Sequence, residues 1–316
     1  MIDKKYEIHF APLQGLTDGA FRRLHSQIYG GIDYYYTPFV RIEHGDFRRR
    51  DLREIAEDEM PNTIWQVLPG SGEELLRLCE PLLSSGKRRI DINVGCPFPP
   101  IMAHGRGATL LNNPDRLADV LSATHQLPSD TEVSLKMRLG YDDPYQWKEI
   151  IDIVNEARLA HVCLHARFAK QQYKGTCDTE AFGDFANECK HPLLYNGDIR
   201  TASDAEKITT DFPSLKGIMI GRGLIVDMLL ATRLRGQAPS TDDEINLFAQ
   251  MHEALCASLA ERYADDRQVV SHMQPFWEYF YVEADHKLRK VIKKAHTLSA
   301  YNAATGALIG SLRQNA

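Results

Sequence analysis

Residues Arg89–Gly140 decide the fold. They open with RIDINVG (Arg89–Gly95), a short apolar run with alternating polar positions that reads as a strand. Next comes PDRLADVLSATHQL (114–127), with apolar residues at helical spacing, and then a second strand-like run, EVSLKMRLG (Glu132–Gly140). Strand, helix and strand in this order are one unit of a parallel sheet. The same rhythm extends in both directions. Upstream runs are EIHFAPL (Glu7–Leu13), DYYYTPFV (Asp33–Val40) and TIWQVL (Thr63–Leu68); downstream are HVCLHAR (His161–Arg167), PLLYNGDI (Pro192–Ile199) and GIMIGRG (Gly217–Gly223). Helical patterns lie between most of them: AFRRLHSQI, EELLRLCEPLL, YQWKEIIDIVNEARL, TASDAEKITTD and LIVDMLLATRL. Eight such units in about 235 residues predict an α/β fold, a closed parallel (β/α)8 TIM barrel rather than an open sheet. The connections after the second and sixth strands are less regular.

Past Gly236 the character changes. QAPSTDDE reads as a linker, with Ser240 or Thr241 placed to cap a helix that begins at the acidic residues. No strand pattern follows. The expected organisation is a barrel over 1–236 and a small all-helical C-terminal domain over 237–316.

Composition narrows the classes. The 316 residues are 43% hydrophobic and 25% charged, near globular averages, which excludes disordered and collagen-like chains. No run of about 18 apolar residues is present, so no membrane span is expected. The N-terminal MIDKKYEIHFAPL lacks the features of a secretory signal. Six scattered cysteines without a CxxC argue against a zinc site or a disulfide framework. A net charge of −6 discourages a nucleic-acid partner at first sight.

In a (β/α)8 barrel the reacting groups stand at the C-terminal strand ends. Here those ends carry Pro12 and Leu13, Gln66, Asn93 to Pro97, Lys136 to Arg138, His165 to Arg167, Asn196 to Asp198, and Gly221-Arg222. Polar side chains inside apolar strands are costly to bury alone, so the set predicts one shared polar pocket. Glycines on strands seven and eight, Gly197 and Gly221, predict a phosphate seat, to which Arg222 adds a charged fork. Cys96, in the turn Gly95-Cys96-Pro97, directs its thiol to the pocket. A thiol is mostly protonated at neutral pH and can donate a proton; a base that lowered its pKa would make it a nucleophile instead. His104 is close enough in sequence that spacing alone leaves both roles open.

These residues resemble the tRNA-dihydrouridine synthases, which are flavin enzymes. The matching pieces are Ala11-Pro12, Gln66, Asp91-Ile92-Asn93-Val94-Gly95-Cys96-Pro97 with Gly105-Arg106-Gly107-Ala108, Lys136-Met137-Arg138-Leu139-Gly140, His165-Ala166-Arg167 with Gln171 and Tyr173, Asn196-Gly197-Asp198, and Met219-Ile220-Gly221-Arg222-Gly223. The most specific is Asn-x-Gly-Cys-Pro with the downstream Gly-x-Gly-Ala. The resemblance implies FMN over the barrel mouth, NADPH as reductant, hydride delivery to C6 of a uracil in the tRNA D-loop, and protonation of C5 by Cys96. It assigns Pro12, Leu13, Gln66, Lys136 and His165 to the flavin. Asn196, Gly197, Asp198, Gly221 and Arg222 fall to the flavin phosphate region, and Asn93 and Arg167 to the uracil. It further implies base extrusion, a cytoplasmic monomer, and no metal. The chain departs from the family pattern at Ala166-Arg167-Phe168, where Gly-Arg-Thr is common, and at Asp178-Thr179, where Asp-Trp is common. It departs again at His272-Met273-Gln274, which stands where Arg-x-Lys precedes the aromatic cluster.

The charge argument changes when charges are located. Residues 237–285 carry ten acids and two basic residues, whereas 286–316 carry six Lys/Arg and no acid. Lys287, Lys290 and Lys294 recur at i, i+3 and i+7 and share a helical face, an expected tRNA contact. Arg48-Arg49-Arg50 is another basic run, and Lys87-Arg88-Arg89, at the wrong end of its strand for substrate, is read as structural. The competing readings are an FMN barrel acting on a free pyrimidine or similar small conjugated substrate, and a non-catalytic tRNA-binding protein.

Overall fold

The computed structural model describes residues 1–237 and 239–315. Eight strands form the barrel: β1 (Glu7–Phe10), β2 (Tyr34–Tyr36), β3 (Thr63–Val67), β4 (Arg89–Asn93), β5 (Glu132–Gly140), β6 (His161–Phe168), β7 (Leu193–Asn196) and β8 (Gly217–Ile220). They pair in sequence order, all parallel, and β8 closes on β1 with Phe10 opposite Ile220. The register sets the site. It puts Gln66 beside Asp91, Asn93 beside Lys136, and His165 beside Asn196. Inside the barrel, Tyr36, Ile64, Cys163, Leu194 and Met219 form a small apolar plug. The main core lies outside the strands, beneath the helices.

Four connections differ from the sequence reading. After β2 the chain makes a two-stranded hairpin, Ile42–Glu43 with Asp46–Phe47, and then a helix, Arg49–Glu57. After β6 a helix runs Thr179–Glu188, started by Asp178, whose side chain accepts from the Ala181 N–H. LIVDMLLATRL is not one helix but two, Arg222–Val226 and Leu230–Leu234. Asp227 divides them, its carboxylate accepting from the Leu229 N–H at 3.0 Å and from Arg233. The helical pattern near Tyr145 is shorter than its spacing suggests, Ile151–Glu156 after a 3-10 turn at Gln146–Glu149.

The last part is helical: Thr241–Arg262, Asp266–Met273, His286–Lys294 and Leu298–Asn315. Ser240 caps the first, accepting from the Asp243 N–H. The expected boundary at 236/237 abuts Ala238, which lies outside the described residues. The tail shares its core with the barrel: Phe276 stacks on Phe21 of the helix Gly19–Ile28 at 5.5 Å. Among the described residues no helix is long and apolar enough to cross a membrane.

Candidate active site

Cys96 sits on a turn fixed from both sides. Asn93, the last residue of β4, accepts at Oδ1 from the N–H groups of Gly95 (3.0 Å) and Cys96 (2.9 Å). On the far side the Cys96 carbonyl accepts from the Ala108 N–H at 3.0 Å. Gly107 makes that approach possible. Its φ is +60°, and a Cβ there would stand 2.7 Å from the Cys96 carbonyl oxygen. The half-buried thiol packs against Phe39, Leu68 and Ile101, and burial pushes its pKa up. It is therefore protonated at neutral pH, the state of an acid rather than of a resting nucleophile. His104 is exposed and lines a separate surface cavity with Arg41 and Arg77.

Beside this turn, the ends of β1 and β5–β8 enclose a narrow cavity of about 80 Å3. Its lining brings together Pro12, Leu13, Lys136, His165, Asn196, Gly197, Asp198, Gly221 and Arg222. Lys136 Nζ donates to Asn196 Oδ1 at 3.1 Å. Burial, together with Arg138, Lys136, Arg167 and Arg222, holds His165 well below the usual histidine range, so the ring is neutral. Arg167 donates to its Nε2 at 3.3 Å. An arginine has no acceptor, so the single ring proton belongs on Nδ1. Burial pushes the Asp198 carboxyl up, but the Arg167 bond outweighs this and leaves it below its ordinary range. Arg222 lies 3.7 Å from the same carboxylate, and the short helix it begins, after Gly221, has no side-chain cap.

This donor set fits a phosphorylated flavin. Arg222, a glycine-edged turn and uncapped N–H groups suit a phosphate, while Lys136 beside a neutral imidazole suits a ring that gains negative charge on reduction. Exposed Tyr173 spans the opening, its ring 4.4 Å from Arg222 and 5.5 Å from Arg138.

Three expected contact residues are engaged within the protein. Gln66 is fully buried below the cavity, donating to Asp91 at 2.7 Å and accepting from Asn93 Nδ2 at 2.8 Å. Asn93 thus spends its amide on Gln66 and the Cys96 turn. Arg167 bonds Asp198, the Gly175 carbonyl (2.8 Å) and Cys177 Sγ (3.0 Å), all on the β6 loop or the end of β7.

The sequence reading assigned no role to Arg138 or Asp91. Arg138 is buried and donates to the carbonyls of Gly95 (3.0 Å), Phe168 (3.1 Å) and Gln172 (2.8 Å), tying the Cys96 turn to the β6 loop. Its partners are backbone atoms, which leave no mark in sequence; its place in Lys-x-Arg at a strand end was the only signal.

In the tail, Lys287, Lys290 and Lys294 line one groove with Val291, His296 and Thr297. Neighbouring cations are committed elsewhere. Lys293 pairs with Glu278 at 2.7 Å, and Arg289 donates to the Trp277 carbonyl at 2.6 Å. Gln274 donates to the Lys293 and Ala295 carbonyls, closing the C-terminus of the basic helix, and His272 stacks on Tyr263. Arg88 and Arg89 pair with Asp130 and Glu132. Among the described residues no cluster of His, Cys, Asp or Glu is arranged to hold a metal.

A parallel barrel with a protonated thiol beside a cationic, glycine-edged cavity has the make-up of a barrel enzyme. The chain belongs to the dihydrouridine synthase family, whose model matches residues 9–308. Its members are flavin-dependent oxidoreductases that reduce uridine in tRNA. Among its relatives is the tRNA-dihydrouridine(16) synthase of Neisseria meningitidis serogroup B, 28% identical over 269 residues, 80% of each chain. The enzyme of the same name from Pseudomonas putida is 30% identical over 281 residues, 83% of this chain and 85% of its own. A probable tRNA-dihydrouridine synthase of Staphylococcus aureus is 30% identical over 226 residues, 68% and 67% of the two chains. The barrel is also like that of a variant of NCR from Zymomonas mobilis (TM-score 0.54, 14% identity, 74% of this chain and 87% of the other). At that identity the likeness concerns the fold alone.

Proposed function

We propose that this chain reduces a D-loop uridine of tRNA to 5,6-dihydrouridine, with position 16 as the target. The target position rests on the names of its relatives, which match over about four fifths of both chains. A bound FMN, re-reduced by NADPH, would supply the hydride for C6 of the uracil. Lys136, His165 and Asn196 would hold that cofactor at the ring end, and Gly197, Gly221 and Arg222 at the phosphate end. Cys96 gives its proton to C5, so that one hydride and one proton saturate the double bond. Lys136 and the neutral His165 offer positive charge and an N–H beside the reacting ring.

The carrying observation is the protonated thiol on a turn fixed by Asn93, on the strand adjacent to Lys136. A uridine inside folded tRNA reaches this turn only when extruded from its stack. Lys287, Lys290 and Lys294 take phosphates of the tRNA, residues 1–236 form the catalytic unit, and 237–316 its RNA arm. One monomer acts on one tRNA, in the cytoplasm, in keeping with six unbridged cysteines. Mass mapping of dihydrouridine in tRNA from cells with and without the gene tests this reading. Loss of the two added hydrogens at position 16 is expected, and an unchanged map overturns it.

A further inference from the structure

Asp91 has no part in the reading above, yet it is a fully buried carboxylate in the barrel interior. Such positions in a parallel barrel usually hold branched apolar side chains. Among the described residues no cation forms an ion pair with it, and only the charge of Lys136 on the neighbouring strand favours its ionised form. Its partners are neutral: Gln66 Nε2 at 2.7 Å to Oδ2, and Ser134 Oγ at 2.7 Å to Oδ1. The register makes this layer, with Gln66 of β3 and Ser134 of β5 flanking Asp91. Burial without a counter-charge is expensive, and an apolar residue would pack there at lower cost. The carboxylate therefore calls for a purpose.

The hydrogen bonds above it supply one. Asn93, two residues further along β4, donates to Gln66 Oε1 at 2.8 Å and accepts from the N–H groups of Gly95 and Cys96. A backbone N–H can only donate, and an ionised carboxylate can only accept. From the upper end, two N–H groups require the Asn93 oxygen to face them, so its NH2 faces Gln66. Gln66 must then offer its oxygen upward and its NH2 downward. That NH2 needs an acceptor, and Asp91 is one. From the lower end the same logic runs in reverse. Two primary amides, each free in isolation to turn over, are thus locked in one orientation.

We propose that Asp91 is a positioning residue for Cys96, setting the polarity of the Gln66 and Asn93 amides and through them the turn that aims the thiol. The inference rests on the reading of Cys96 as the acid. Asparagine at 91 satisfies the same pattern, its oxygen accepting from Gln66 and its NH2 donating to Ser134 Oγ. Leucine keeps the branch at Cγ and removes the acceptor.

The test compares Asp91→Leu, Asp91→Asn and Asn93→Ala with the double variant Asp91→Leu/Asn93→Ala in the flavin-loaded enzyme, measuring dihydrouridine formation on tRNA. Misplacement of a reacting group by about 1 Å costs on the order of 100-fold, so Asp91→Leu is expected to lose about 10- to 100-fold in kcat with KM for tRNA unchanged. Asp91→Asn restores most of that loss. The double variant is no worse than Asn93→Ala, because residues acting in series are not additive. Where Asp91→Leu fails to fold, Gln66→Met removes the same link and is expected to show the same loss. Unchanged kcat in the folded variant, or losses at 91 and 93 that multiply, overturns the proposal. Cys96→Ala, run in parallel, separates it from its foundation: loss there without loss in Asp91→Leu sinks the relay alone, and full activity there sinks the acid role itself.

Discussion

The barrel and the tail each bury a string of hydrogen-bonded polar groups, and the two strings end differently. In the barrel, Asp91, Gln66 and Asn93 climb from one interior layer to the next and finish on the N–H groups of the Cys96 turn. In the tail, Trp277 Nε1 donates to Tyr301 Oη at 2.8 Å, and Tyr301 meets His252 Nε2 at 2.7 Å. All three of those rings are buried, and they link Thr241–Arg262, the 3-10 turn Gln274–Glu278 and Leu298–Asn315. Parallel strands in fixed register stack inward side chains along the barrel axis, so polarity can be passed upward to a loop. Helices packed side by side bring rings together across a core, so the same kind of string can only tie elements to one another. One string is directed at chemistry and the other holds an arm in shape.

If that contrast is sound, damage to the barrel string stops turnover and damage to the tail costs binding or stability. The largest effect belongs to Cys96→Ala. Loss of a positioned acid costs about 100- to 10,000-fold, and that is the expected fall in dihydrouridine formation, with flavin absorbance and tRNA binding retained. The thiol's raised pKa adds a pH signature. An acid must be protonated to act, so activity holds through neutral pH and falls only above the range of an ordinary cysteine. A pH–rate profile checks this, and an alkaline limb at or below that range refutes it. Next in size is the triple variant Lys287→Ala, Lys290→Ala, Lys294→Ala. Each lost phosphate contact should flatten the log–log salt dependence of tRNA binding by about 0.7 to 0.9, leaving kcat at saturating tRNA unchanged. An unaltered salt slope removes the groove from the RNA interface. This variant is a cleaner probe than deleting the tail, because the stacked pair Phe21–Phe276 makes the core common to both parts.

The same contrast explains what could be read from the chain. The eight strands were legible because each is a short apolar run closed by glycine or a polar group. The helix Arg49–Glu57 was harder to see, since RRDLREIAE has few apolar residues and buries only Ile55 and Asp51. Thr179–Glu188 buries Ala181, Phe182 and Phe185, and its Asp178 cap is the one sequence signal that marks its start. Within the site, the cavity residues were legible because strand ends in a barrel converge by construction. Asp91 and Arg138 were not. Gln66 is 25 positions from Asp91 and meets it only through the register, while Arg138 binds carbonyls that every residue possesses. The family resemblance implied that Asn93 and Arg167 both face the uracil. Their partners here divide them, one to the Cys96 turn and the other to Asp198.

Two smaller predictions probe the tail. Tyr301→Phe strips the hydroxyl from between Trp277 and His252 and leaves two buried groups unpaired, at about 1–3 kcal/mol of stability. Thermal unfolding measures it, and an unchanged midpoint contradicts the role given to the string.

The smallest effect is the pH dependence of His252. Burial holds its pKa at about 4, below the ordinary histidine value of 6.5, because a charged ring would be stranded in an apolar core and would repel the role of acceptor from Tyr301. The folded-state pKa is depressed, so the stabilisation is complete above about pH 6.5 and is lost progressively as pH falls towards 4. Between pH 7 and pH 5.5 the loss is about 1 kcal/mol, one pKa unit of differential protonation. Buried histidines of the barrel titrate in the same direction, His25 and His165 among them, so total stability cannot isolate the tail. The difference between the intact protein and His252→Gln can, because glutamine still accepts from Tyr301 and does not titrate. The variant should lose less stability on acidification by that same amount, with kcat at neutral pH untouched. Equal acid sensitivity in both would mean that His252 is already free of its burial, and that the tail string does not hold the arm.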